Sequence, residues 1–332
     1  MMMKKLTVFL MFACLVSISG LYAQENYTLV IHGGAGNVDR ERVPEDREEA
    51  FYAKMHEALD AGEAILEAGG SSLDAVEAAV RIMEDSPMFN AGKGAVFTYD
   101  GGNELDASIM CGEQMKAGAI AGVTNIRNPI STARKVMDLS PHVLLTGRGA
   151  EAFAMEHGAE IVEPSYFFDQ YRYDQLQDRL RQMEETSHID SSDMMGTVGA
   201  VALDKNGNLA AATSTGGMTA KRYNRVGDSP IIGAGTYAEN SSCAVSSTGH
   251  GEYFIKYAVA YDVSAQMRYK GVELEEATHS IIHGTLRELD VNGGLIAVDK
   301  DGNVSMPYNT SGMFRGYTRS NGERVTKIFG DD

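Results

Sequence analysis

An α+β protein built as one domain, two stacked sheets covered by helices, is the fold this sequence predicts, and three observations predict it. Short apolar runs that read as strands recur along the chain, several of them nearly continuous and so buried on both faces. Stretches with helical spacing stand near both ends. Gly-rich and Asn-Gly turns separate the runs at short intervals, which leaves no composition break that would divide the chain.

The elements follow in order. Residues 1–23 carry a basic head, Lys4-Lys5, an apolar stretch from Leu6 to Gly20, and the small residue Ala23 before Gln24. That pattern predicts an export signal peptide; the stretch is short for a membrane span of about 20 residues. The mature protein would then begin near Gln24 and be periplasmic or secreted. Tyr27 to Ile31 reads as a buried strand running into a Gly-rich turn, His32-Gly-Gly-Ala-Gly36. Glu45 to Glu67 has helical spacing, with Met55, Ala58, Leu59, Ile65 and Leu66 on one side and Gly62 among them as a close-packing point. Ser71 or Ser72 can cap a second helix through Met83, with Asp74 in its first turn and Pro87 beyond its end.

Ala95 to Thr98, Glu104 to Met110 and Ala117 to Val123 read as successive strands, and Pro129 as a first helical turn. Residues 163–195 are aromatic, then polar and charged, and predict an exposed, mobile linker. Thr197 to Leu203 is the most apolar strand of the mature chain, and Asn206-Gly207 folds it into a hairpin with Leu209 to Thr215. Ser242 to Ser247 predicts a further strand and Gly251 to Met267 one helix. The hairpin design repeats over Leu295 to Val304. Both hairpin turns carry aspartates without the further acidic ligands of a calcium loop, so they read as turns.

Without residues 1–23 the chain has 309 residues and 27 Lys+Arg against 46 Asp+Glu, a net charge of −19. Such a surface repels nucleic acid and anionic lipid, which argues against both as partners. Cys111 and Cys243 read as small core residues, and tryptophan is absent.

Chemistry concentrates at Gly196-Thr197-Val198-Gly199, where a polar segment meets a buried strand. Gly196 lets a hydroxyl approach its carbonyl, and the β-branch of Thr197 holds Oγ1 in few orientations. Attack by Oγ1 on the Gly196 carbonyl, followed by hydrolysis of the ester, would free an amine on Thr197. An α-amine of pKa about 7.7–8.0 is partly neutral near pH 7 and can serve as the base. One residue would then supply nucleophile and base together.

The motifs around it appear in a telling order: His32-Gly-Gly-Ala-Gly36, Phe89-Asn-Ala-Gly-Lys-Gly94, Glu104-Leu-Asp-Ala-Ser108, Lys116-Ala-Gly118, Arg127-Asn-Pro129 and Ser140-Pro-His-Val143. They continue as Gly196-Thr-Val-Gly-Ala-Val-Ala-Leu-Asp204, Thr213-Ser-Thr-Gly-Gly-Met218, Arg225-Val-Gly-Asp-Ser-Pro230, Ser247-Thr-Gly-His-Gly-Glu252 and Gly293-Gly-Leu-Ile-Ala-Val298. Over nearly the whole mature chain the sequence resembles the plant-type asparaginase and isoaspartyl-peptidase family of N-terminal nucleophile hydrolases. The resemblance implies a four-layer αββα sandwich, cut into an α chain of 24–196 and a β chain of 197–332, assembled as a dimer of αβ heterodimers. It implies Thr197 as nucleophile, Thr215 as the hydroxyl touching it, Thr248 and Gly249 as oxyanion hole, and Asn90 beside the Thr197 amine. Arg225 and Asp228, with Gly249 and Gly251 lining the pocket, would clamp the carboxylate and ammonium of an aspartyl head group. It also implies a mobile loop at His32 to Gly36, with His32 structural, and a structural sodium held by the backbone carbonyls of Met83, Glu84, Ser86, Phe89, Ala91 and Lys93. No catalytic cofactor is implied. His250, bulkier than the threonine or cysteine expected between the two pocket glycines, is expected to point away.

Two rival readings remain. A glycosylasparaginase shares the fold, but Gly196 and Val198 differ from the aspartate and isoleucine expected around its threonine. A dinucleotide site at Gly147-Arg-Gly-Ala-Glu-Ala152 follows a strand-like His142 to Thr146, but lies mid-chain with no βαβ unit expected before it.

Overall fold

The computed structural model of the chain describes residues 26–41, 43, 45–185 and 196–330. The expected signal segment, 1–23, and the last part of the expected linker, 186–195, lie outside the described residues. Twelve strands among the described residues form two sheets. In chain order the larger holds β1 (Thr28–Gly36), β2 (Leu105–Cys111), β3 (Lys116–Val123), β4 (Leu144–Thr146), β5 (Val198–Leu203), β6 (Leu209–Thr215), β11 (Gly312–Arg319) and β12 (Arg324–Phe329). Their spatial order is β12-β11-β1-β5-β6-β2-β3-β4. The smaller sheet runs β10-β9-β8-β7, with β7 (Thr236–Ala238), β8 (Cys243–Gly249), β9 (Gly293–Asp299) and β10 (Val304–Ser305). Every ladder is antiparallel except β3–β4.

Three helices, α1 (Glu45–Glu67), α2 (Ser72–Glu84) and α3 (Pro129–Leu139), cover the outer face of the large sheet. The smaller sheet stacks on the inner face, and its own outer face is covered by helices at Val259–Ala265 and Leu274–His279. Helix, sheet, sheet and helix make the expected four-layer sandwich.

The near-continuous apolar strands are explained by this stacking. Leu29 and Ile31 of β1 pack under the outer helices, whereas Val30 faces the small sheet; Ala200 and Ala202 alternate with Val201 and Leu203 in the same way. Both faces are dry, so alternation in polarity is lost. Helix α1 buries Phe51, Met55, Ala58, Leu59 and Leu66. A Cβ on Gly62 would lie 2.5 Å from Leu29 Cδ2, which is the close packing expected there. Ser71 caps α2 by accepting from Asp74 N at 3.1 Å. Asp204 spends its carboxylate on Asn206 N, Asn208 N and Ser72 N at 2.9, 3.0 and 2.9 Å, and so ties the hairpin turn to the start of α2.

Five expectations need correction. Residues 163–185 are not an unstructured linker: Pro164–Phe167 forms a 3₁₀ turn and Gln170–Glu185 a helix that buries Arg172 and Leu176. His32 to Gly36 continues β1 rather than turning, with a bulge between His32 and Gly34. Ala95 to Thr98 is extended but joins no ladder, because its backbone bonds go elsewhere: Val96 N donates to Asn90 Oδ1, and Ala220 N donates to Phe97 O. The helix expected over 251–267 breaks at Ala258, which adopts φ +48°, giving Gly251–Lys256 and Val259–Ala265. A β3–α3–β4 crossover does precede the Gly147 helix, but β4 is a three-residue edge strand with Leu144 and Thr146 exposed.

Candidate active site

Strand register assembles the site. Val198 of β5 pairs with Ser214 of β6, so the residues at the ends of these strands, Thr197 and Thr215, become neighbours. Thr197 Oγ1 donates to Thr215 Oγ1 at 3.1 Å, and both residues are buried. Thr215 Oγ1 in turn accepts from Gly217 N at 3.0 Å. A third hydroxyl, Ser229 Oγ, stands 3.4 Å from Thr197 Oγ1. A buried hydroxyl flanked by two others is held to few orientations.

The peptide bond before Thr197 is crowded on two sides. A Cβ on Gly34, which has φ +107°, would lie 2.5 Å from Gly196 O and 2.7 Å from its carbonyl carbon. Any side chain at Gly196 would collide with Thr248 Oγ1. That hydroxyl accepts from Ala35 N at 3.3 Å, which leaves its own proton available toward the Gly196 peptide. The bulge of β1 thus delivers Gly34 and Ala35 to the cleavage position, and Thr248, at the end of β8, reaches it from the other sheet. Gly249 ends β8 opposite Gly293.

Behind Thr197 a chain of buried polar groups crosses between the sheets. His32 Nε2 lies 3.0 Å from Ser246 Oγ, Ser246 Oγ 2.7 Å from Thr213 Oγ1, and Thr236 Oγ1 donates to Thr213 at 2.6 Å. Ser108 Oγ bridges Thr236 Oγ1 and Ser229 O at 2.8 and 2.6 Å. Burial lowers the His32 imidazole to a pKa of about 3, so it is neutral at ordinary pH and serves as one more dipole in this chain.

The two residues of the expected clamp lie close together. Gly251 has no side chain where a Cβ would lie 2.8 Å from Arg225 Nη2 and 2.9 Å from Asp228 Oδ1, so a guanidinium and a carboxylate converge on one bare backbone position. Burial pushes the Asp228 carboxyl up to about 7, and its Oδ2 is buried with no hydrogen-bond partner among the described residues. An unpaired buried acceptor beside a cation suits an incoming ammonium. Arg225 is already engaged: Nε and Nη2 donate to Glu252 Oε1 and Oε2 at 2.8 and 2.7 Å.

Asn90 is near the site but not on Thr197. Its Nδ2 donates to Gly217 O at 2.8 Å and its Oδ1 accepts from Val96 N at 3.0 Å, so it secures the loop after Thr215. Met83 and Glu84 of the expected sodium loop end α2 and its other residues follow, with Gly92 so close that a side chain there would collide with Glu84 O. Three of the expected carbonyl donors are already engaged, since Met83 O accepts from Ser86 N, Phe89 O from Ala91 N and Ala91 O from Gly94 N.

Gly34, Ser229 and Glu252 are the contacts that sequence reasoning missed. Each lies inside a motif already singled out, so their type was visible and their direction was not. Cys111 and Cys243 are free and buried.

The sequence matches known proteins. A family model described as Asparaginase matches residues 25–328. Two similar relatives are the isoaspartyl peptidases of Escherichia coli and Salmonella typhimurium. Each is 48% identical over 91% of this chain, covering 95% and 98% of their own lengths. An isoaspartyl peptidase/L-asparaginase of Mus musculus is 41% identical over 86% of this chain and 86% of its own.

Proposed function

The chain belongs to the asparaginase family, and we propose on that premise that it is a self-cleaving threonine hydrolase acting on isoaspartyl dipeptides and L-asparagine. The observation that carries the reading is Thr197 Oγ1, buried against Thr215 and Ser229, with Gly34 pressed on the preceding carbonyl and Thr248 Oγ1 beside Gly196.

In this reading Oγ1 first attacks the Gly196 carbonyl, and the Gly196 C–N bond breaks as the hydroxyl proton passes to the Thr197 nitrogen. Water then hydrolyses the resulting ester to leave a Gly196 carboxylate and a free Oγ1 beside the new amine. The freed amine then acts as base. Oγ1 attacks the side-chain carbonyl of an aspartyl substrate, Thr248 Oγ1 and Gly249 N–H receive the oxyanion, and ammonia or an amino acid leaves with a proton. Water, deprotonated by the amine, hydrolyses the aspartyl ester. Arg225 takes the α-carboxylate, and Asp228 the α-ammonium once it is ionised.

The test is the intact mass of purified protein under denaturing conditions, for wild type and Thr197→Ala. Two fragments meeting at Gly196/Thr197 are expected from the first and one uncut chain from the second. An uncut wild type that hydrolyses L-asparagine would overturn the mechanism. The same reading extends to export by residues 1–23, to assembly as a dimer of heterodimers, and to a structural sodium in the 83–93 loop. Periplasmic fractionation and native mass check the first two. The third predicts a lower melting temperature when sodium is replaced by choline.

A further inference from the structure

Arg225, Glu252 and His250 form a chain that the proposed chemistry does not use. A guanidinium offers two bidentate edges, a side-on edge of Nε and Nη2 and an end-on edge of Nη1 and Nη2. Glu252 holds the side-on edge with two charge-assisted bonds of 2.8 and 2.7 Å. The end-on edge is left open: Nη1 makes no hydrogen bond among the described residues and lies over Gly227, 2.7 Å from where a Cβ would stand. Nη2, shared by both edges, is the nitrogen that faces Asp228 across Gly251. Glu252 is itself braced, since His250 Nε2 lies 3.4 Å from its Oε2.

An α-amino acid carries its carboxylate and ammonium on one carbon, so both contacts form only if the guanidinium keeps a fixed orientation toward Asp228. Asp228 does not supply that orientation, because no hydrogen bond joins it to Arg225 among the described residues. Glu252 does. Its side chain is 45% exposed, so it sits at the rim of the site and not in the core.

We infer that Glu252 is a positioning residue that grips Arg225 side-on so that its end-on edge meets the substrate α-carboxylate, with His250 bracing Glu252. This rests on the reading that Arg225 takes that carboxylate. The opposite role would have Glu252 occupy the seat of the substrate and be displaced by it; the two differ in the sign of the effect on KM.

Steady-state kinetics on L-asparagine with the cleaved wild type, Glu252→Ala, Glu252→Gln and His250→Ala separate them. Glu252→Ala should raise KM about tenfold or more, with kcat within about threefold, since the lost interaction acts on binding. Glu252→Gln keeps the shape and one acceptor and should fall between, and His250→Ala should raise KM by a smaller factor. KM unchanged or lowered in both Glu252 variants overturns the inference, as does a loss confined to kcat. Wild type without activity on L-asparagine or β-aspartyl dipeptides would instead refute the functional reading.

Discussion

Gly34→Ala tests whether the bulge in β1 sets up self-cleavage. The added methyl would stand 2.5 Å from Gly196 O, whereas ordinary van der Waals contact begins at 3.4 Å, so the scissile carbonyl must retreat by about 0.9 Å. A misplacement of about 1 Å between reacting groups can cost about 10²-fold in rate. Alanine at φ +107° also carries a left-handed penalty of about 1–2 kcal/mol, which lowers stability but need not touch the chemistry. Gly101→Ala isolates that second effect, for Gly101 has φ +82° and nothing within 4 Å of its Cβ position. The assay is the fraction of cut chain against time after refolding, read by intact mass, beside a melting curve for each variant. Gly34→Ala should be cut about 10²-fold more slowly than wild type, and Gly101→Ala at the wild-type rate with reduced stability. Cleavage of a folded Gly34→Ala at the wild-type rate would refute the reasoning.

Thr248→Val keeps the shape of the side chain and removes the hydroxyl, so kcat on L-asparagine per cleaved chain should fall about 10²–10³-fold while KM changes little; an unchanged kcat would exclude Thr248 as an oxyanion donor. Asp228, raised by burial to about 7, is neutral below that pH and charged above it, so inhibition by L-aspartate should strengthen as pH rises through about 7. Succinamate, which lacks the α-ammonium, should not show that gain, and parallel profiles for the two would remove Asp228 from head-group binding.

What could be read from the sequence was what is local. Helix α1 has a broad apolar face and α2 a serine cap followed by an early acid, and both fold where expected. The β5–β6 hairpin closes at Asn206-Gly207 because the turn chemistry is in the dipeptide itself. The helix at Gln170–Glu185 was hidden because one of its two fully buried positions is Arg172, a residue that no apolar pattern marks; its Nη2 donates to Met88 O at 3.4 Å. The break at Ala258 was equally invisible, since alanine gives no sign of a left-handed conformation imposed by packing. At the site, Thr197, Thr215, Thr248, Arg225 and Asp228 were legible by type and order. Ser229 beside Thr197 and Glu252 beneath Arg225 depend on how loops approach across space, which spacing along the chain does not encode.

The two reactions proposed for Thr197 would draw on different parts of this site. Thr248 Oγ1 sits against the Gly196 residue in the uncut chain, so the donor proposed for the substrate oxyanion is already beside the residue that would be attacked first. Thr215 and Ser229 touch Oγ1 itself and would be common to both steps. Arg225 and Asp228 do neither; they converge at Gly251, and Glu252 is bonded to Arg225. The peptide at Gly196 offers no free α-carboxylate or ammonium for them to grip. On the proposed mechanism self-cleavage would depend on the hydroxyl cluster and the β1 bulge, and hydrolysis on that cluster plus the clamp. Selection on the clamp can change which aspartyl compound is bound without endangering the cut that makes the enzyme.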